Sequence, residues 1–211
     1  MATLKAHLES PDQAVRLKAA LAAGTFPKPE YIDVLVSQCA LEPDFFVRDT
    51  LTWALMRNDV PKVVDRLKPE LVSENAQAKS QALHTLTKIA DKQFYPLITN
   101  EHLFDSHDKV AVTAWRAASV LVPEDEKPTL TNILVTQLGR GNSDVQFDLT
   151  RFLCALGDCI VEPLTEATKS LKSEVVLNAQ FTLMRYQEMK LETAKKRTVG
   201  GEGFEPPTSS V

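Results

Sequence analysis

The chain repeats itself, and that limits its fold more than any other feature. "DQAVRLKAALAA" (12–23) and "DFFVRDTLTWAL" (44–55) share an Asp, a Val-Arg pair and a run of small apolar residues, 32 positions apart. Aligning the chain on this valine gives six anchors, Val15, Val47, Ala78, Val110, Val145 and Val175, separated by 32, 31, 32, 35 and 30 residues. Four positions on stand Ala19, Leu51, Ala82, Ala114, Leu149 and Ala179; eight positions on stand Ala23, Leu55, Leu86, Ala118, Leu153 and Leu183. All are apolar, and offsets of four and eight lie on one face of an α-helix. Each anchor therefore marks one amphipathic helix.

Between the anchored helices lie other apolar stretches of helical spacing, "EYIDVLVSQCAL" (30–41), "VPKVVDRLKPEL" (60–71), "TLTNILVTQL" (129–138) and "DCIVEPLTEATKSL" (158–171). Ser10-Pro11-Asp12, Pro43-Asp44, Ser73, Asp105-Ser106 and Asn142-Ser143 supply caps or first-turn acids before most anchored helices. Glycine is scarce and no long segment alternates with period two, so helices are favoured over strands. A period near 32 that holds two helices and a turn is the unit of an all-α solenoid.

The anchored segments resemble the second helix of a HEAT repeat, in the shorter HEAT-like form also found in phycobilin-lyase-type proteins. The resemblance covers about residues 1 to 190. It is clear in the two quoted segments and fair in "SHDKVAVTAWRAA" (106–118), where Ala111 stands in place of the Arg. It is weaker in "NAQAKSQALHTL" (75–86), "SDVQFDLTRFL" (143–153) and "SEVVLNAQFTL" (173–183), which carry Lys79, Gln146 and Val176 there. The resemblance implies a right-handed superhelix of about six helical hairpins over residues 1–192. It also implies an inter-repeat ladder through Asp12, Arg16, Asp44 and Arg48, whose spacing suits local i, i+4 pairs as well.

Equal offsets in successive repeats project into one surface row. Offset six points about 240° away from the anchor at roughly 100° per residue, and reads Leu21, Trp53, His84, Arg116, Arg151, Phe181. Offset three reads Lys18, Thr50, Gln81, Thr113, Asp148, Asn178; offset ten contributes Arg57, Lys88 and Arg185. The resemblance puts these rows on the concave side. Trp, Arg and Phe dominate interface hot spots, so Trp53, Arg57, His84, Lys88, Arg116, Arg151 and Phe181 are the expected partner-binding residues. Their basic character suits a protein or peptide partner with acidic groups.

The function expected is a non-catalytic interaction scaffold or adaptor, because this fold carries many functions and no enzyme motif is present. No catalytic residue, metal site or cofactor is expected: His7, His84, His102 and His107 are scattered, and Cys39, Cys154 and Cys159 form no ligand spacing. A second reading is a DNA glycosylase of the HEAT-like type, with Trp53, Trp115, Arg116, Asp148 and Arg151 supplying aromatic, basic and acidic groups. The net charge of −4 argues against nucleic acid. No apolar run reaches the ~20 residues of a membrane span, MATLKAHLES lacks a secretory core, and the odd cysteine count suits a cytoplasmic chain.

Residues 193–211 are expected to form a flexible tail. "VGGEGFEPPTSSV" has no period. Gly-Phe-Glu-Pro is also what the reverse complement of a tRNA gene's TΨC arm encodes, so this stretch is expected to be an accident of gene adjacency in a bacterial genome.

Overall fold

The computed structural model describes the backbone of residues 2–199 and side chains of residues 3–195. Six helical hairpins run through them: α1 (Ala2–Leu8) with α2 (Gln13–Thr25), α3 (Ile32–Leu41) with α4 (Phe45–Met56), and α5 (Val60–Leu71) with α6 (Ala76–Ile89). Then follow α7 (Asn100–Leu103) with α8 (Asp108–Leu121), α9 (Lys127–Val135) with α10 (Ser143–Leu156), and α11 (Val161–Ala167) with α12 (Ser173–Val199). Short 3-10 turns lead into α3, α7, α9 and α11. The chain divides into two compact units, one running to Leu130 and the other starting at Thr131.

Each of the six anchors begins the packed face of a second helix, α2, α4, α6, α8, α10 or α12. All six residues four positions on are buried, and so are five of the six at eight positions, Leu183 being partly exposed. In the first unit α2 packs on α4, α4 on α6 and α6 on α8, while α3 lies against α5 behind them. In the second unit α12 packs on both α10 and α11. Each buried leucine of this seam contributes about 1.5–3 kcal/mol over its exposed state.

The caps explain why the second helices start where they do. Asp12 accepts a hydrogen bond from the Ala14 amide at 2.8 Å, and Asp44 accepts one from Val47 at 3.0 Å. Asn142 caps α10. The α6 cap is Asn75, not Ser73, whose hydroxyl instead accepts from the Asn75 amide. Before α8 the Asp105 carboxylate holds the His107 amide at 2.8 Å, placing His107 at the cap position. At the other end, α12 continues to Val199, beyond the boundary expected at 192, because "ETAKKRT" is rich in helix-forming residues. The rest of the expected tail, 200–211, lies outside the described residues.

Among the described residues no helix is long and apolar enough to cross a membrane. The three cysteines are free thiols. Burial pushes the Cys39 thiol up to about 12 and the Cys154 thiol also upward, whereas Cys159 is partly exposed. Native protein treated with iodoacetamide at mildly alkaline pH is therefore expected to be alkylated at Cys159 first. Cys39 and Cys154 should react only after denaturation, as read by peptide mass spectrometry; equal labelling of all three in the native state would contradict this packing.

Candidate partner-binding site

Arg16 and Arg48 start from the same position in consecutive repeats, yet their roles differ. Arg16 grips the Glu42 carboxylate with two bonds, Nε to Oε2 at 2.7 Å and Nη2 to Oε1 at 2.9 Å, and its Nη1 donates to the Ser10 and Pro11 carbonyls. Arg48 donates from Nη1 to the Glu42 and Pro43 carbonyls, at 2.8 and 2.7 Å. Gln77, one repeat further on, also donates to the Glu42 carbonyl, at 2.8 Å. The link between the first three repeats thus converges on Glu42, in the turn between α3 and α4. Asp12 and Asp44 serve as helix caps, and the arginines take other oxygens. Periodicity did not reveal Glu42, because it lies between helices where no apolar pattern applies.

The Glu42 side chain is 0% exposed and that of Arg16 11% exposed. Burial raises the Glu42 carboxyl, but the Arg16 guanidinium, the Asp44 amide and Gln38 outweigh it and hold the group below the usual carboxylate range. Arg16 is correspondingly raised, chiefly by its bond to Glu42.

On the face made by α4, α6 and α8 a pocket of about 290 Å³ opens. Arg48 and Asp49 come from α4, Ser80, Gln81, His84 and Lys88 from α6, and Lys109, Val112, Thr113 and Arg116 from α8; Phe45 adds an aromatic wall. Of the expected binding residues, the fold gathers His84, Lys88 and Arg116 here. Gln81 and Thr113 of the offset-three row join them. Lys109 and Arg48 complete the basic lining; Lys109 precedes its anchor, in none of the aligned rows.

The pocket's charges repel one another. Asp49 is its one acidic lining residue, 3.8 Å from His84 Nε2 and 3.9 Å from Lys88 Nζ. Burial lowers the pKa of His84, and Lys88 and Arg116 lower it further against the opposing pull of Asp49. Burial and then Arg48 lower the pKa of Lys109. The Nε of Arg48 is buried without a hydrogen-bond partner among the described residues. An anion placed here would relieve the repulsion and meet several N–H donors.

Trp53 does not line this pocket. It is 41% exposed, and its ring lies over Gly24 near the end of α2, where a β-carbon would stand 2.1 Å from the indole. Glycine at that position admits the close approach. Arg57 follows α4 as its exposed C-cap.

The remaining row members belong to the second unit. Arg151 pairs with Asp148 at 3.1 Å on its own helix and lines a pocket of about 280 Å³ with Phe147, Cys154, Arg185 and Met189. Phe181 lines a pocket of about 440 Å³ with Phe147, Gln146, Leu177 and Asn178, its ring 6.4 Å from that of Phe147. Trp115 has no exposed surface, and its Nε1 donates to the Leu103 carbonyl at 2.9 Å. It cannot frame a base, which removes one of the groups the glycosylase reading needs.

Residues 1–87 match the family model for HEAT repeats. No curated protein sequence matches the chain. Among solved structures, the karyopherin Kap121p bound to the extreme C-terminus of the protein phosphatase Cdc14p aligns over 88% of this chain, with 18% identity and a TM-score of 0.61. The chain spans 23% of that karyopherin's length. An engineered protein aligns over 88% of this chain and 98% of its own length, with 20% identity and a TM-score of 0.46. The complex of CpcE and CpcF of phycocyanin lyase from Nostoc sp. PCC7120 aligns over 85% of this chain and 74% of its own, with 19% identity and a TM-score of 0.47. Its first 87 residues match HEAT repeats, the same helical hairpin recurs through α12, and the fold is an all-α solenoid.

Proposed function

We propose that this protein is a non-catalytic interaction scaffold whose α4–α6–α8 face binds an acidic segment of a partner protein. One observation carries the reading. Arg48, Lys88, Lys109 and Arg116 share a single pocket with His84 and only one carboxylate, in a chain whose net charge is −4. An acidic chain that concentrates cations at one place has an electrostatic focus there. A karyopherin of this fold is bound to the end of another protein's chain, which agrees with a polypeptide ligand. A cytoplasmic location belongs to the same proposal and rests on the three free thiols.

Lys88 and Lys109 are exposed, so replacing both by Glu leaves the core untouched. A fluorescein-labelled peptide of aspartates and glutamates is expected to bind the wild type with an affinity that falls as salt rises. The Lys88→Glu, Lys109→Glu variant should bind at least ~30-fold more weakly, since like charges at an interface cost several kcal/mol. Fluorescence anisotropy measures both, with circular dichroism to show that the helices persist. Equal binding by the two proteins would remove the pocket from the account.

A further inference from the structure

We propose that the pocket between α4, α6 and α8 receives the phosphoryl group of a phosphorylated segment, as the anchor of the acidic partner described above. The inference rests on that reading and narrows it. Arg48, Lys88 and Lys109 face one carboxylate in the pocket, an excess of two, with Arg116 also on its lining. A single aspartate or glutamate of a partner would neutralise one of them. A phosphoserine or phosphothreonine brings about 1.5–2 negative charges and three acceptor oxygens on one atom.

The donors match that geometry. Arg48 and Arg116 enter from α4 and α8, Lys88 and Lys109 from α6 and α8, so the donors come from three helices around one volume of about 290 Å³. Guanidinium groups meet phosphate oxygens in pairs, and ammonium groups add point charges. Arg48 already spends Nη1 on two carbonyls that fix its position, and its Nε has no partner among the described residues. Burial is the first cause of the lowered pKa of Lys109 and of His84, and the second is neighbouring positive charge, from Arg48 on Lys109 and from Lys88 and Arg116 on His84, which a dianion would offset.

A phosphorylated polypeptide fits better than nucleic acid. Nucleic-acid backbones are held by a track of contacts, on the order of 6–10 phosphates for a typical site. Here the cations gather at one point with Asp49 among them, in a chain of net negative charge. Phe45 and Val112 give the pocket apolar walls for side chains that flank a phosphorylated residue.

The test uses the full chain and two labelled peptides of identical acidic sequence, one with serine and one with phosphoserine at its centre. The phosphoserine peptide is expected to bind at least roughly tenfold tighter by anisotropy. Millimolar inorganic phosphate should displace it, and in the Lys88→Glu, Lys109→Glu variant the gain should shrink to less than about twofold. Equal affinities for the two peptides would overturn the phosphoryl assignment and leave the acidic-segment reading standing. Failure of both peptides to bind would overturn both. A single-stranded oligonucleotide that outcompetes the phosphopeptide would overturn the assignment in favour of nucleic acid.

Discussion

Replacing Glu42 with Ala is expected to destabilise the protein by about 3 kcal/mol, the lower end of the cost of breaking a buried ion pair, because the Arg16 left behind is partly exposed. Glu42 holds both branches of the Arg16 guanidinium and also accepts from the Asp44 amide at 3.0 Å. Typical domains are stable by only ~5–15 kcal/mol, so urea denaturation should show a large fall in midpoint. The double variant Arg16→Met, Glu42→Leu should recover most of the loss, because an apolar pair needs no charge partner. A single Glu42→Ala variant as stable as the wild type would show that the turn between α3 and α4 does not tie the repeats together.

The same residue makes stability depend on acid. The folded Glu42 carboxyl sits below its ordinary value. Its contribution is therefore complete above the unfolded pKa of about 4.3 and is lost as pH falls through the lower folded value. Asp105 behaves likewise. Burial opposes its charge, but Lys79 and the amide and ring of His107 lower its pKa from 3.8 to about 2. Its side chain is 7% exposed, and the shift corresponds to on the order of 2 kcal/mol, lost between about pH 4 and pH 2. Stability measured from neutral pH downward should hold until about pH 5 and then fall, and the double variant at Arg16 and Glu42 should fall less steeply.

Trp115→Ala is expected to cost a further large amount, about 3–5 kcal/mol. Trp115 is the bulkiest fully buried side chain among the described residues, and its indole N–H ties the last residue of α7 to α8. Removing it leaves a cavity and an unsatisfied Leu103 carbonyl. Trp115→Phe keeps much of the volume and should cost about 1–3 kcal/mol, the range for an orphaned buried acceptor. Far-ultraviolet circular dichroism during urea denaturation gives both values without relying on tryptophan emission. A loss below about 1 kcal/mol for the alanine variant would mean that this part of the core is not packed as described.

The architecture was legible because a helix packed on equivalent neighbours must repeat its buried face. That requirement put Ala or Leu at fixed offsets from Val15 through Val175, and the fold buries all of those residues except Leu183. Surface rows were less legible. His84, Lys88 and Arg116 do meet at one pocket, since α6 and α8 are adjacent. Trp53 shares the row of His84 and Arg116 but lies on Gly24, a contact set by the missing side chain on α2. An offset fixes a direction from the helix axis, and it does not fix what the neighbouring helix offers there.

The residues missed had physical reasons to be missed. Lys109 sits one position before Val110, outside the aligned rows, and reaches the pocket from the first turn of α8. Arg48 stands where the resemblance implied a ladder, and it both anchors the turn before α4 and lines the pocket. Glu42 lies in a turn with no periodic signal, and only the folded chain shows that Arg16, Gln77 and Arg48 meet there.

The central claim is that the cation-lined face of α4, α6 and α8 is where a partner binds. The most direct measurement is a nuclear magnetic resonance titration of nitrogen-labelled protein with the acidic peptide. The account predicts that the largest amide shifts fall on Asp49, Gln81, His84, Lys88, Lys109 and Thr113, and that His84's ring titrates at higher pH once peptide is bound. Shifts confined to the second unit, around Phe147 and Phe181, or none at all, would contradict it.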